Sequence, residues 1–133
     1  MEKDGMEMDI IQVIIMFYLL KDGNGLTKEY DYDGNLEFEG EFLNGKKNGK
    51  GKEYYYDGGL EFEGEYLNGK RNGKGKEYNH NGKLKFEGEY LNGERNGKGK
   101  EYNYGKLKFE GEYLNGRRFN NTPVKFEIAE DNK

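Results

Sequence analysis

From Leu60 to Lys83 the chain reads LEFEGEYLNGKRNGKGKEYNHNGK, and this stretch decides the fold because it is flanked by near copies of itself. LEFEGEFLNGKKNGKGKEYYYDGG runs from Leu36 to Gly59, and LKFEGEYLNGERNGKGKEYNYGK, one residue shorter, runs from Leu84 to Lys106. A partial fourth copy opens at Leu107 and keeps the pattern to Arg118. Self-similarity at a fixed period of this size marks stacked supersecondary units, so the unit is what must be read. Each copy buries surface only against its neighbours, which leaves a thin core and shifts expectation from catalysis toward binding.

Within Leu60 to Leu67 alternation is strict: Leu60, Phe62, Gly64 and Tyr66 point one way, and Glu61, Glu63, Glu65 and Leu67 the other. Period-two alternation with aromatics predicts a half-buried strand. Asn68 to Asn72 carries turn chemistry, since Asn-Gly readily takes positive φ. A second strand is expected from Gly73 to His80, closed by Asn81-Gly82, as Asp57-Gly58 closes the preceding copy. Each repeat is thus a β-hairpin joined to the next hairpin.

Two registers compete inside the hairpin. Pairing Phe62 with Tyr78 and Leu60 with His80 gathers Leu60, Phe62, Tyr66 and Tyr78 on one face, beside the stems of Lys74 and Lys76. Glu61, Glu63, Glu65, Glu77 and Asn79 then share the other face. The rival sets Glu65 opposite Lys74 and Glu63 opposite Lys76, for ion pairs worth about 0.2–1 kcal/mol each. Buried aromatic area, at ~25 cal/mol per Å², favours the first. The recurrent Gly64, Gly73 and Gly75 are expected to give room for a neighbouring strand's ring to lie on bare backbone.

These spacings carry a family resemblance. Phe62, Gly64, Tyr66, Gly69, Gly73 and Gly75 resemble the MORN repeat, aromatic-x-Gly-x-aromatic-x-x-Gly-x-x-x-Gly-x-Gly. Phe38, Gly40, Phe42, Gly45, Gly49 and Gly51 hold the same places in one copy, and Phe86, Gly88, Tyr90, Gly93, Gly97 and Gly99 in another. The last copy keeps Phe109, Gly111, Tyr113 and Gly116. Phe replaces the usual first Tyr, Tyr or Phe the usual Trp, and Asn72 a frequent His. The wording KEYxxxGKLKFEGEYLNG is similar to the MORN-variant repeats of bacterial antitoxin type. The resemblance implies an all-β fold, an elongated, twisted, single-layer antiparallel sheet of tandem hairpins. It also implies protein contacts, in some relatives with attachment to a membrane or anionic lipid. The expected function is a non-enzymatic scaffold or adaptor for protein–protein interaction, with an antitoxin-like inhibitor of an effector protein as the alternative.

The organisation expected is an N-terminal tail and degenerate capping repeat over 1–35, repeats over 36–59, 60–83, 84–106 and 107–118, and an edge strand with a charged tail over 119–133. Within 1–35, the apolar run Met8 to Leu20 is shorter than the ~20 residues a spanning helix needs. The acidic MEKDGMEMD before it is unlike the n-region of a secretory signal. Sliding it by one period sets Tyr18 and Leu19 over Phe42 and Leu43, which reads as a capping strand; a membrane-associating segment and a signal are the other readings. Pro123 precedes an expected last edge strand, Val124 to Ile128, and Asn120-Asn121-Thr122 is a sequon.

Charge and composition narrow the function. Residues 1 to 35 hold 8 acids and 3 bases, and the other 98 hold 18 and 19, so no basic domain exists to release counterions from nucleic acid. There is no Cys or Ser, which removes disulfides, thiolate metal sites and the commonest nucleophiles. His80 is the sole imidazole and falls in one column with Tyr56 and Tyr104. No phosphate-loop pattern occurs. Glu61, Glu63 and Glu65 invite a hard cation, but same-face neighbours on a strand stand ~7 Å apart, which favours a solvated face. No enzyme activity, cofactor or metal is therefore expected, and the cytoplasm or its membrane surface is the expected location.

Two candidate contact surfaces remain. One is an aromatic face of Phe38, Phe42, Tyr54, Phe62, Tyr66, Tyr78, Phe86, Tyr90, Tyr102, Phe109 and Tyr113. The other is a ladder of basic turns, Lys46, Lys47, Lys70, Arg71, Arg95, Arg117 and Arg118, spaced ~10 Å apart along the sheet. Expected partners are a protein, an acidic one at the basic turns, or anionic lipid there; a second copy docking edge to edge would give a homodimer.

Overall fold

A computed structural model describes residues 23–119. The readings of Met8 to Leu20, the sequon and Val124 to Ile128 lie outside the described residues. Among the described residues nine strands follow one another: β1 (Gly25–Tyr30), β2 (Leu36–Leu43), β3 (Lys46–Tyr54), β4 (Leu60–Leu67), β5 (Lys70–Tyr78), β6 (Leu84–Leu91), β7 (Glu94–Asn103), β8 (Lys106–Leu114) and β9 (Arg117–Arg118). They form a single antiparallel sheet in chain order, roughly 38 Å across at about 4.8 Å per strand. The expected all-β array of hairpins is what the chain forms. Gly25 to Asn35, aligned by sequence with Gly49 to Gly59, repeats their geometry: Asp31 N donates to Asn35 O at 2.9 Å as Tyr55 N does to Gly59 O at 2.8 Å.

The turn at each hairpin tip is shorter than expected. Leu67 pairs with Lys70, so only Asn68 and Gly69 reverse the chain, at φ 51° and 88°. Positive φ at both central residues matches the twist of the flanking strands, and Asn followed by Gly tolerates it best. Lys70 and Arg71 accordingly begin β5 and do not sit in a loop. The missing residue of the third repeat is absorbed between β7 and β8. Asn103 there pairs with Lys106 around a two-residue Tyr104-Gly105 turn, where other repeats use a longer loop such as Tyr55 to Gly59.

The register corrects the preferred expectation. Phe62 faces Glu77, Glu63 faces Lys76 and Gly64 faces Gly75. The rejected ion-pairing register therefore holds for this part of the hairpin. It then shifts: Tyr66 faces Arg71, leaving Asn72 to Lys74 opposite Glu65 alone. Gly73 stands in that bulge at φ 108°, and the Glu65 carboxylate accepts the Lys74 N–H at 3.2 Å. Directly opposite residues share a face, so Glu77 and Arg71 join the rings of Phe62 and Tyr66. Tyr78, Lys74 and Lys76 go to the other side, and His80 lies in the turn beyond β5.

Why this register wins is visible at Gly75. A Cβ built there would lie 2.4 Å from Phe62 Cζ and 3.1 Å from Tyr90 Cε1. Two rings from neighbouring hairpins thus occupy the space a side chain would need, and only glycine admits them. The expected room for a ring is found at Gly75, whereas a Cβ at Gly73 would meet the Glu65 carboxylate and one at Gly64 first the backbone of Lys74 and Gly75; the expectation also lacked that Gly75 had to oppose Gly64.

Candidate binding surface

The first face of the sheet is its core. Phe38, Phe62, Phe86 and Phe109 are at most 1% exposed, and Phe42, Tyr66, Tyr90 and Tyr113 at most 5%. A single layer manages this by edge-to-face stacking. Phe62 meets Tyr66 of its own strand at 5.8 Å and Tyr90 of the next hairpin at 5.2 Å, and the same spacings recur along the sheet. A guanidinium closes each ring from above: Arg71 over Phe62 and Arg95 over Phe86 at 4.0 Å, and Arg118 over Phe109 at 4.2 Å.

Each guanidinium is held by a glutamate of the preceding hairpin. Arg71 donates Nε and Nη2 to Glu53 at 3.0 and 2.9 Å, and the Tyr66 hydroxyl donates to the same carboxylate. Glu77 receives Arg95 and Tyr90, and Glu101 receives Arg118 and Tyr113. Burial pushes the Glu53 and Glu77 carboxyls upward, but the arginine and tyrosine bonds outweigh it and hold both below their ordinary value. At Glu101 the Arg118 bond is the largest influence, and the result is again a lowered value. Burial and then the carboxylate bond push the Tyr66, Tyr90 and Tyr113 hydroxyls well above theirs.

Both expected contact surfaces are therefore rearranged. Eight of the expected rings form the buried core and present little to a partner. Lys47, Arg71, Arg95 and Arg118 belong to this face as lids on the rings. Of the expected basic turns, Lys46, Lys70 and Arg117 remain exposed beside the tips without covering a ring. Next to them stand Leu43, Leu67, Leu91 and Leu114, each close to half exposed. They recur every second strand, or about 10 Å.

Tyr54, Tyr78 and Tyr102 lie on the opposite face. There they donate to Glu39, Glu63 and Glu87 at 2.5, 2.5 and 2.8 Å. Burial first, then these bonds, push each phenol up to about 12. This face forms an open trough of about 1600 Å³ running from β1 to β8, lined by glycine backbone and by glutamates and lysines. One row across the strands reads Lys28, Glu39, Lys52, Glu63, Lys76, Glu87, Lys100, Glu110, so that charge alternates at every step. A parallel row contains the pairs Lys50–Glu65, Lys74–Glu89 and Lys98–Glu112. Sequence reading missed the trough because the preferred register placed the lysine stems beside the rings. The signal that finds it is the glycine row itself, since Gly64 set opposite Gly75 fixes Glu63 opposite Lys76.

His80 is exposed, stacked on Tyr55 at 3.8 Å with Nδ1 3.7 Å from Asp57. Among the described residues no three acidic or imidazole groups gather to hold a metal, and no helix is long and apolar enough to cross a membrane. A family profile described as MORN repeat matches the chain three times, at residues 38–60, 62–83 and 86–105. No curated protein matches the chain.

Proposed function

Because the chain belongs to the MORN repeat family, we propose that it is a non-enzymatic scaffold that binds another protein along the length of its sheet. The observation that carries this reading is the recurrence of one exposed group at every hairpin tip. Half-exposed Leu43, Leu67, Leu91 and Leu114 stand in a row, with Lys46, Lys70 and Arg117 beside three of them. One such contact is weak, but contacts on a common scaffold multiply through effective concentration. A reaction site needs acid, base or nucleophile converging on one point; a translationally repeated surface offers the same group at many points.

The test is affinity capture by the full chain from its native cells at about 0.15 M ionic strength. The expected result is one protein retained in stoichiometric amount, and lost when Leu67→Asp and Leu91→Asp are combined. A chain that retains no protein but sediments with phosphatidylserine vesicles would replace this reading with membrane attachment, for which the same leucines and cations are suited.

A further inference from the structure

Packed domains are built from two layers, yet among the described residues nothing covers the trough face of this sheet. Bare glycine backbone forms the floor of the trough, and two charged rows form its walls. Alternation leaves neither wall with a dominant sign, so what a partner can read is the order of the signs. The wall that runs from Lys28 on β1 to Glu110 on β8 begins with a base, ends with an acid and alternates at every strand between. Read backwards, it therefore carries the opposite charge at every place. The second wall runs from Leu26 to Glu112 and has the same property everywhere but at those two ends.

We infer that the trough face is the interface of a homodimer, with a second copy set mouth to mouth on the first about a two-fold axis that runs parallel to the strands between β4 and β5. Such an axis reverses the strand order and keeps each wall over its own counterpart, as a self-complementary interface requires. Lys28 then meets Glu110 of the second copy, Glu39 meets Lys100, Lys52 meets Glu87 and Glu63 meets Lys76, each pair formed twice. On the other wall Glu41 meets Lys98, Lys50 meets Glu89 and Glu65 meets Lys74. An axis across the strands would instead set Glu39 over Glu41 and Lys52 over Lys50, and like charges would meet on every strand from β2 to β8. The sign pattern thus selects one arrangement of two copies. A partner of a single sign, whether acidic segment, lipid headgroup or nucleic acid, meets a repelling group at every second place.

The groups are placed for such a contact. Tyr54, Tyr78 and Tyr102 hold Glu39, Glu63 and Glu87 in position, and each carboxylate keeps further acceptor sites. Among the described residues the trough lysines have no carboxylate within 4.0 Å, which leaves their donors open to the second copy. Strand lies over strand, as in the aligned packing of two sheets. Eight strands by about 20 Å of strand length make a face of roughly 700 Å² on each copy, close to the ~800 Å² per partner of a standard specific interface. The dimer goes beyond the scaffold reading and does not depend on it.

The experiment is sedimentation equilibrium of the full chain from about 1 μM to about 0.5 mM, a range that brackets weak specific association. The expected result is a monomer–dimer equilibrium that moves toward monomer as salt is added. Lys76→Glu leaves only carboxylates around the axis, and Glu63→Lys leaves only ammonium groups there; each weakens the dimer at least about tenfold. Mixing the two variants restores association as a heterodimer, and combining both substitutions in one chain restores the homodimer. Neither rescue repairs a misfolded chain. A monomer at every concentration, a dimer that Lys76→Glu leaves intact, or a mixture that stays monomeric overturns the inference. Growth past the dimer into open chains makes the sheet edges the contact and overturns it too. Capture of a protein partner by a chain that stays monomeric leaves the scaffold reading standing.

Discussion

The junction between the hairpins β2–β3 and β4–β5 and the junction where β3 reaches back to β1 share a buried phenylalanine under a cation but differ in how the cation is tied. Phe38 lies under Lys47 at 4.3 Å, as Phe62 lies under Arg71 at 4.0 Å. At the interior junction Arg71 grips Glu53 with two bonds and Tyr66 adds a third. At the first junction Lys47 stands 3.8 Å from Glu29, and Phe42 has no hydroxyl to give. A fork of fixed donors matches a carboxylate, whereas an ammonium is a point charge on a flexible stem. The phenylalanines are therefore buried alike, and among the described residues the forked arginine tie is a separate layer that begins at Arg71.

The largest effect tests the uniform part. Phe62→Ala is expected to cost about 3–5 kcal/mol in urea melts, and Phe38→Ala the same, since both are fully buried phenylalanines. A much smaller cost at Phe38 would show that the first junction is looser in packing as well.

The next effect separates the two ties. Glu77→Gln, which leaves Arg95 and Tyr90 with a neutral acceptor, is expected to cost about 2 kcal/mol. Glu29→Gln should cost no more than about 0.5 kcal/mol. Hydrogen exchange reads the same contrast, with amides of β1 opening before those of β5 and β6. Equal costs at the two sites would break the comparison.

The smallest effects come from pH. Glu53, Glu77 and Glu101 have lowered values in the folded chain. Their contribution is thus complete above the unfolded value of about 4.3 and is lost as pH falls through the lower folded value. Acid should therefore erode the interior ties and bring their melts closer to that of the first junction. Tyr54, Tyr78 and Tyr102 are raised to about 12. Their contribution is complete below about 10 and is lost as pH rises from there toward 12. Tyrosinate absorbance followed beside circular dichroism checks this: ionisation of these phenols near 10 without loss of structure would contradict it.

Strands, hairpins and their order were legible in the sequence because alternation and Asn-Gly turns are local signals. The face assignment of Glu77, Tyr78, Lys74 and Lys76 was not. It hinges on a one-residue choice of register, and area burial was weighed there without the geometric demand of the rings. With Tyr78 beside Phe62 the aromatic area would be gathered within one hairpin. The chain instead gathers it between hairpins, across Gly75, where each ring meets a neighbour from the next copy. The partnership of Arg71 with Glu53 was hidden for the same reason, since it links residues of different repeats.

Repetition, alternation and turn chemistry, all properties of neighbours along the chain, were enough to specify a row of antiparallel hairpins without any coordinates. Contacts between copies were decided only in three dimensions. Which glutamates lie under arginines, which tyrosines leave the core and which lysines line the trough all follow from the opposition of Gly64 and Gly75. The physical reason is that a slip of one position reverses every side chain of a strand, and the space that forbids the slip is set by rings from the next repeat.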